Sequence, residues 1–174
     1  MLPTLLNTMV VQLCKDLKHY SINYLQGYIF VHRLFLMFAE RYPSLKEYYN
    51  SMVNNFLRSE KYRVKGVVSD LGRFLTYLSF ADLSWDDIAS AYLHENFDRS
   101  VLWLLRTYPW LEHDISLVND LRTAVTFVAT KTSIKLLMFQ VYFLKTIARP
   151  QGVTLQEIAR RYDENLGRPD SNVC

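Results

Sequence analysis

The stretch 131–150, KTSIKLLMFQVYFLKTIARP, limits what this chain can fold into more than any other. At about 100° per helical residue, Lys131, Lys135, Tyr142, Lys145 and Arg149 fall in one narrow sector. Ile134, Leu137, Phe139, Val141, Phe143, Leu144 and Ile147 spread over the remainder of the circumference. A helix apolar on nearly every side is covered by neighbours on several sides. The stretch therefore predicts an all-α fold of about seven or eight helices packed around a central buried helix near 132–149, with one basic ridge left to solvent.

Composition agrees with that class. Only 5 Gly and 5 Pro punctuate 174 residues, which favours long helices over a many-turned β fold. Half the residues are hydrophobic and 14% are aromatic, enough to build one core, so a single domain over 1–169 is expected, with a disordered tail at 170–174. The net charge of +3 is too mild to imply a polyanionic partner. Cys14 lies in an apolar helical pattern and reads as a buried free thiol, and Cys174 is terminal, so no disulfide framework is implied. With no secretory signal at the start, an intracellular place, cytoplasmic or nuclear, is the expectation. The apolar run 134–148 is broken by Lys135, Gln140 and Lys145 and falls short of the roughly 20 residues of a membrane span, so it reads as a core helix.

The helices follow from periodicity and punctuation. Leu5, Leu6, Met9, Val10 and Leu13 mark a first helix that begins almost at residue 1, the look of a piece cut from a longer polypeptide. A second runs over 21–42, burying Leu25, Ile29, His32, Phe35 and Leu36, and is stopped by Pro43. Ser44 with Glu47 suggests a capping box for a third, which should carry Tyr48, Val53, Phe56 and Leu57 inward. The charged run 58–65 reads as a solvated helix end. Asp70 can start a short helix, and Ser84 followed by Asp86 and Asp87 a longer one to about Asn96. Asp98 should begin a separate helix ended by Pro109, and Asp114 another, with Thr130, Thr132 and Ser133 marking a bend before the central helix. Thr154 and Glu157 form a second capping box, opening a last helix closed by Gly167.

Chemical motifs are absent from the sequence. The glycines form neither a dinucleotide fingerprint nor a P-loop, so no cofactor is implied. His19, His32, His94 and His113 are scattered without metal-ligand spacing, and His32 on an apolar face reads as a core histidine. No serine or cysteine stands in the context of an activated nucleophile, so no catalytic residue is assigned. The segment TLQEIARRY resembles the first helix of a helix-turn-helix unit, but no recognition helix follows. Nucleic-acid binding through 152–169 would require a basic stripe continuous across Lys145, Arg149, Arg160 and Arg161. What remains is the basic ridge of Lys131, Lys135, Lys145 and Arg149, the candidate contact with a protein partner, in a chain whose 12 Tyr and 3 Trp suit an interaction surface.

Three strings, FVHRLFLMFAERYP (30–43), NFDRSVLWLLRTYP (96–109) and SIKLLMFQVYFLKTIARP (133–150), together resemble a helical region of large eukaryotic multidomain proteins, some of which also carry a ubiquitin-conjugating-type domain. The conjugating domain itself is not here, because there is no His-Pro-Asn tripeptide. The resemblance implies an accessory helical module near ubiquitin chemistry. The expectation is a non-catalytic interaction or scaffolding module. The alternative is a helical enzyme or ligand-binding domain built from scattered polar residues, marked by a deep pocket at His32 or Gln140.

Overall fold

The computed structural model describes residues 1–15, 22–113 and 120–167; most of these are helical, the rest turns and connections, with no strand among them. Eight α-helices follow in order: α1 Leu2–Lys15, α2 Ile22–Arg41, α3 Pro43–Arg58, α4 Leu71–Tyr77, α5 Trp85–Thr107, α6 Trp110–His113, α7 Asp120–Phe143 and α8 Leu155–Leu166. A 3-10 turn at Glu60–Tyr62 follows α3, and α7 runs on into a π-turn at Leu144–Ala148.

The centre of the core is α4 and the turn after it, rather than 132–149. Every residue from 74 to 81 is buried, and around them close Tyr28, His32, Phe35 and Leu36 of α2, Val53 and Phe56 of α3, and Ile88 and Tyr92 of α5. The packing is largely aromatic. Phe56 stacks on Phe74 at 4.3 Å, Phe35 meets Phe80 edge-on at 4.1 Å, and Tyr28 meets Phe143 at 4.7 Å, spacings at which ring quadrupoles attract. Tyr28, Tyr92 and Tyr162 have their hydroxyl pKa values pushed up by burial, so each ring counts as core with a polar tip to satisfy. The tip of Tyr92 donates to the Leu71 carbonyl at 3.1 Å.

The helix expected at the centre is buried only where it ends. Gln140, Phe143, Leu144 and Ala148 enter the core, whereas no residue from 123 to 139 is buried. Apolar character all round a helix thus reported a helix with two environments: a seat in the body at one end, and an exposed apolar length at the other. With its π-turn it reaches membrane-span length: among the described residues one helical stretch, Thr123–Ala148, has the 26 residues and the mean hydropathy of 1.2 that would allow crossing by length and composition.

Local signals set some helix ends and not others. Asp70 caps α4, accepting from the Arg73 N–H at 2.8 Å, and Ser84 caps α5 with Asp87 completing the box. Thr154 accepts from the Glu157 N–H at 3.1 Å, but the Glu157 carboxylate turns to Arg160 and Arg161 instead of closing a box. Helix α3 begins one residue before Ser44: Pro43 occupies its first turn, where the missing N–H costs nothing and the fixed φ suits the helix. Tyr49, not Tyr48 or Leu57, joins Val53 and Phe56 inside. Gly167 closes α8 at φ 82°, the left-handed conformation that glycine adopts freely. Two expected breaks do not occur: α5 runs unbroken past Asn96 and Asp98, and α7 unbroken past Thr130, Thr132 and Ser133. Cys14 is buried and free, as expected, while Asp114 and the tail 170–174 lie outside the described residues.

Candidate functional site

Three places could carry a function: two polar clusters and one exposed apolar surface. The first is sealed. His32 is fully buried, and its Nδ1 lies 3.1 Å from the Tyr162 hydroxyl, which in turn donates to the Ile147 carbonyl at 3.1 Å. Tyr162 therefore spends its one proton on Ile147, and the His32 Nδ1–H is the donor to Tyr162. Loss of solvation, with the charge of Arg149 as a second cause, lowers the His32 pKa to about 3. At the next residue of each helix, Arg33 holds Asp163 through two bonds, Nε to Oδ1 at 2.6 Å and Nη2 to Oδ2 at 2.9 Å. These contacts clamp α8 onto α2. His32 is thus the core histidine its apolar face suggested. Gln140 is equally structural: its Nε2 donates to Asn7 Oδ1 at 3.0 Å, tying α7 to α1.

The second place is a cleft of about 260 Å³ between the start of α5, the π-turn and the loop 150–154, with Trp85, Asp86, Lys145 and Arg149 on its walls. Lys145 pairs with Asp86 at 2.8 Å. Arg149 is half-buried, and burial lowers its pKa while the charge of Asp82 works against the shift. No group of three or more His, Cys, Asp or Glu side chains suited to a metal ion occurs among the described residues.

The third place is the outer length of α5 and α7. Ser100 meets Ser133 with hydroxyl oxygens 3.2 Å apart, and Asp86 meets Lys145, so the two helices run antiparallel. Beyond the body, α5 has no buried residue from 93 to 107, and Phe97, Leu102 and Trp103 are more than half exposed. On α7 the same holds for Phe127, Val128, Met138 and Tyr142. Large apolar residues exposed singly are ordinary, but a run of them along two adjoining helices is what interfaces look like before they are covered.

The structure separates the four residues of the expected ridge. Lys131 and Lys135 point to solvent from the outer length of α7, whereas Lys145 and Arg149 turn into the cleft. Lys145 meets Asp86 there, and for Arg149 the π-turn adds a change of direction. The Arg149 N–H bonds the Leu144 carbonyl at 2.7 Å, five residues back, so one extra residue fits into the turn and the phase of everything after it lags. A stripe across Lys145, Arg149, Arg160 and Arg161 is broken too, since Arg160 and Arg161 pair with Glu157, and Arg160 also with Glu164. The exposed apolar residues of α5 and α7 carried a sequence signal, apolar residues between flanking charges, but periodicity alone cannot tell an uncovered face from a buried one. No protein-family model, curated protein or solved structure matches the chain.

Proposed function

We propose that this chain is a non-catalytic interaction module that engages a protein partner through the exposed lengths of α5 and α7. The observation that supports this reading is the uncovered apolar run itself. Burying a side chain such as Phe127 or Met138 contributes about 1.5–3 kcal/mol, and both are left in water here. Lys131 and Lys135 border the same surface and give it a sign. The link to ubiquitin chemistry rests on the three resembling strings and belongs to the proposal with them. The alternative, a ligand site built from scattered polar residues, would have to use the cleft at Trp85 and Arg149, because His32 and Gln140 are committed to holding helices together.

The test is a double substitution, Phe127→Ser with Met138→Ser. Proteins captured by the full chain from lysate of the cells that make it should be lost by the variant, and their direct binding to purified chain should weaken at least about 30-fold, two anchors at roughly 1 kcal/mol or more each. Unchanged capture by a variant of unchanged helicity would remove α5 and α7 as the contact surface.

A further inference from the structure

Four exposed residues on α7 recur at alternating steps of four and three: Phe127, Lys131, Ile134 and Met138. That spacing is the d, a, d, a order of a heptad seam, with Lys131 in an a position and Lys135 in the flanking e position. The seam is open: Phe127 is 64%, Ile134 49% and Met138 66% exposed. At about 100° per residue it lies opposite Ser133 and Gln140, the residues that hold α7 to α5 and α1. Neither Lys131 nor Lys135 has an ion pair among the described residues, and the sequence holds no carboxylate between Asp120 and Glu157. Lys145, further along the same helical run, does meet a carboxylate, that of Asp86 at 2.8 Å. Lys131 instead lies over the ring of Phe127, 5.8 Å from its centroid, inside the apolar row.

We propose that this seam docks an amphipathic α-helix of a partner protein that sets an acidic residue against Lys131 and further acids along the edge beside Lys135. The proposal rests on the interaction reading above and adds the chemistry of the partner. A lone lysine in an a position lowers the stability of a seam and selects what pairs with it. A second copy in parallel register would bring Lys131 against Lys131, like charges in a site being dried. A membrane surface accommodates lysines at the edges of an apolar face, where they reach the headgroups. Lys131 has apolar neighbours of the seam on both sides and would be driven towards the acyl chains. A carboxylate in register on a facing helix meets both the charge and the geometry.

Two synthetic helical peptides of about three heptads test this, with leucine at a and d except at one central a position. One carries glutamate at that position and along e and g; the other carries lysine. Fluorescence anisotropy with the full chain should show the acidic peptide binding at least about ten-fold more tightly. The charge reversal Lys131→Glu with Lys135→Glu should invert that preference, and Phe127→Ser with Met138→Ser should abolish both interactions. Each variant is first matched to the parent in helicity and melting temperature. Equal affinity for the two peptides, a preference unmoved by the charge reversal, or no binding of either overturns the proposal. So does flotation with phosphatidylserine-containing vesicles that the charge reversal abolishes, which would assign the seam to a membrane. Dimerisation in sedimentation equilibrium that Phe127→Ser abolishes would assign it to a second copy and overturn the proposal as well. If the peptides fail to discriminate while the Phe127→Ser, Met138→Ser variant still loses its captured proteins, the interaction reading stands and only the partner's chemistry falls.

Discussion

His32 is a neutral imidazole kept where it cannot take a proton. Its folded pKa is lowered to about 3, while an unfolded histidine titrates near about 6.5. Between those values the unfolded chain binds the extra proton. The contribution of this group to stability is therefore fully present above about pH 6.5 and is lost as pH falls towards about 3, at up to roughly 1.4 kcal/mol per pH unit. The substitution His32→Phe keeps a ring among Tyr28, Phe80 and Tyr162, and Tyr162 retains the Ile147 carbonyl. Urea midpoints followed from about pH 7 to about pH 4 should fall less steeply for the variant than for the parent. Parallel slopes would show that another group carries the acid sensitivity. The inward face of α2 made His32 legible as a core residue. Its bond to Tyr162 was not legible, because nothing local marks a partner 130 residues away.

Helix boundaries were legible where a side chain had only one use and illegible where it had two. Asp70 and Ser84 cap as their positions suggest: Asp70 accepts from the Arg73 N–H, and the Ser84 N–H and hydroxyl both donate to Asp87 three residues on. Thr132 and Ser133 suggested a bend, since such hydroxyls often bond the backbone outside helices. Here the Thr132 hydroxyl donates to the Val128 carbonyl at 2.9 Å and the Ser133 hydroxyl meets Ser100, so both are satisfied within a straight run. Asp98 likewise is used on the side of α5, 3.5 Å from His94, rather than as a cap. Gly72 on α4 faces the bond that joins α1 to α7: a Cβ there would come within 2.5 Å of Gln140 Nε2 and 2.8 Å of Asn7 Oδ1. Gly72→Ala should force that pair apart and cost about 1–3 kcal/mol in spite of alanine's better helix propensity, read as a lower melting temperature. A variant as stable as the parent would mean that the Asn7–Gln140 bond shifts freely.

For the molecule as a whole, the sequence was a good guide to class and a poor one to centre. Few glycines and prolines and long apolar periodicities led to an all-α fold, which the structure has. Burial was misplaced because hydrophobicity records what a helix can cover, not what covers it. The run 74–81, FLTYLSFA, is too short and too irregular to announce itself as the core, whereas 131–150 is long and loud. The expected ridge divides for a related reason: Lys131 and Lys135 share a face of regular helix, and periodicity assumes a regular pitch, so it shows neither the five-residue hydrogen bond that turns Arg149 aside nor the Asp86 that holds Lys145. One consequence can be checked without any partner. Because Phe127 and Met138 lie outside the core, the double serine variant should melt within a few degrees of the parent, as surface changes of about 0.5 kcal/mol or less do.

The π-turn at 144–148 also determines how the chain would tolerate a change in its own length. A turn that houses a surplus residue can give one up and remain a helix. Deleting Thr146 would turn the π-turn into regular α-helix and leave Arg149 in its present direction, because the residue removed is the surplus one. The tether to α8 and the His32–Tyr162 and Arg33–Asp163 clamps would keep their spacing. The expected result is circular dichroism and proteolysis of 155–167 close to the parent's, so a single in-frame codon loss would be absorbed here, whereas the same loss in the regular part of α7 would rotate every residue that follows it.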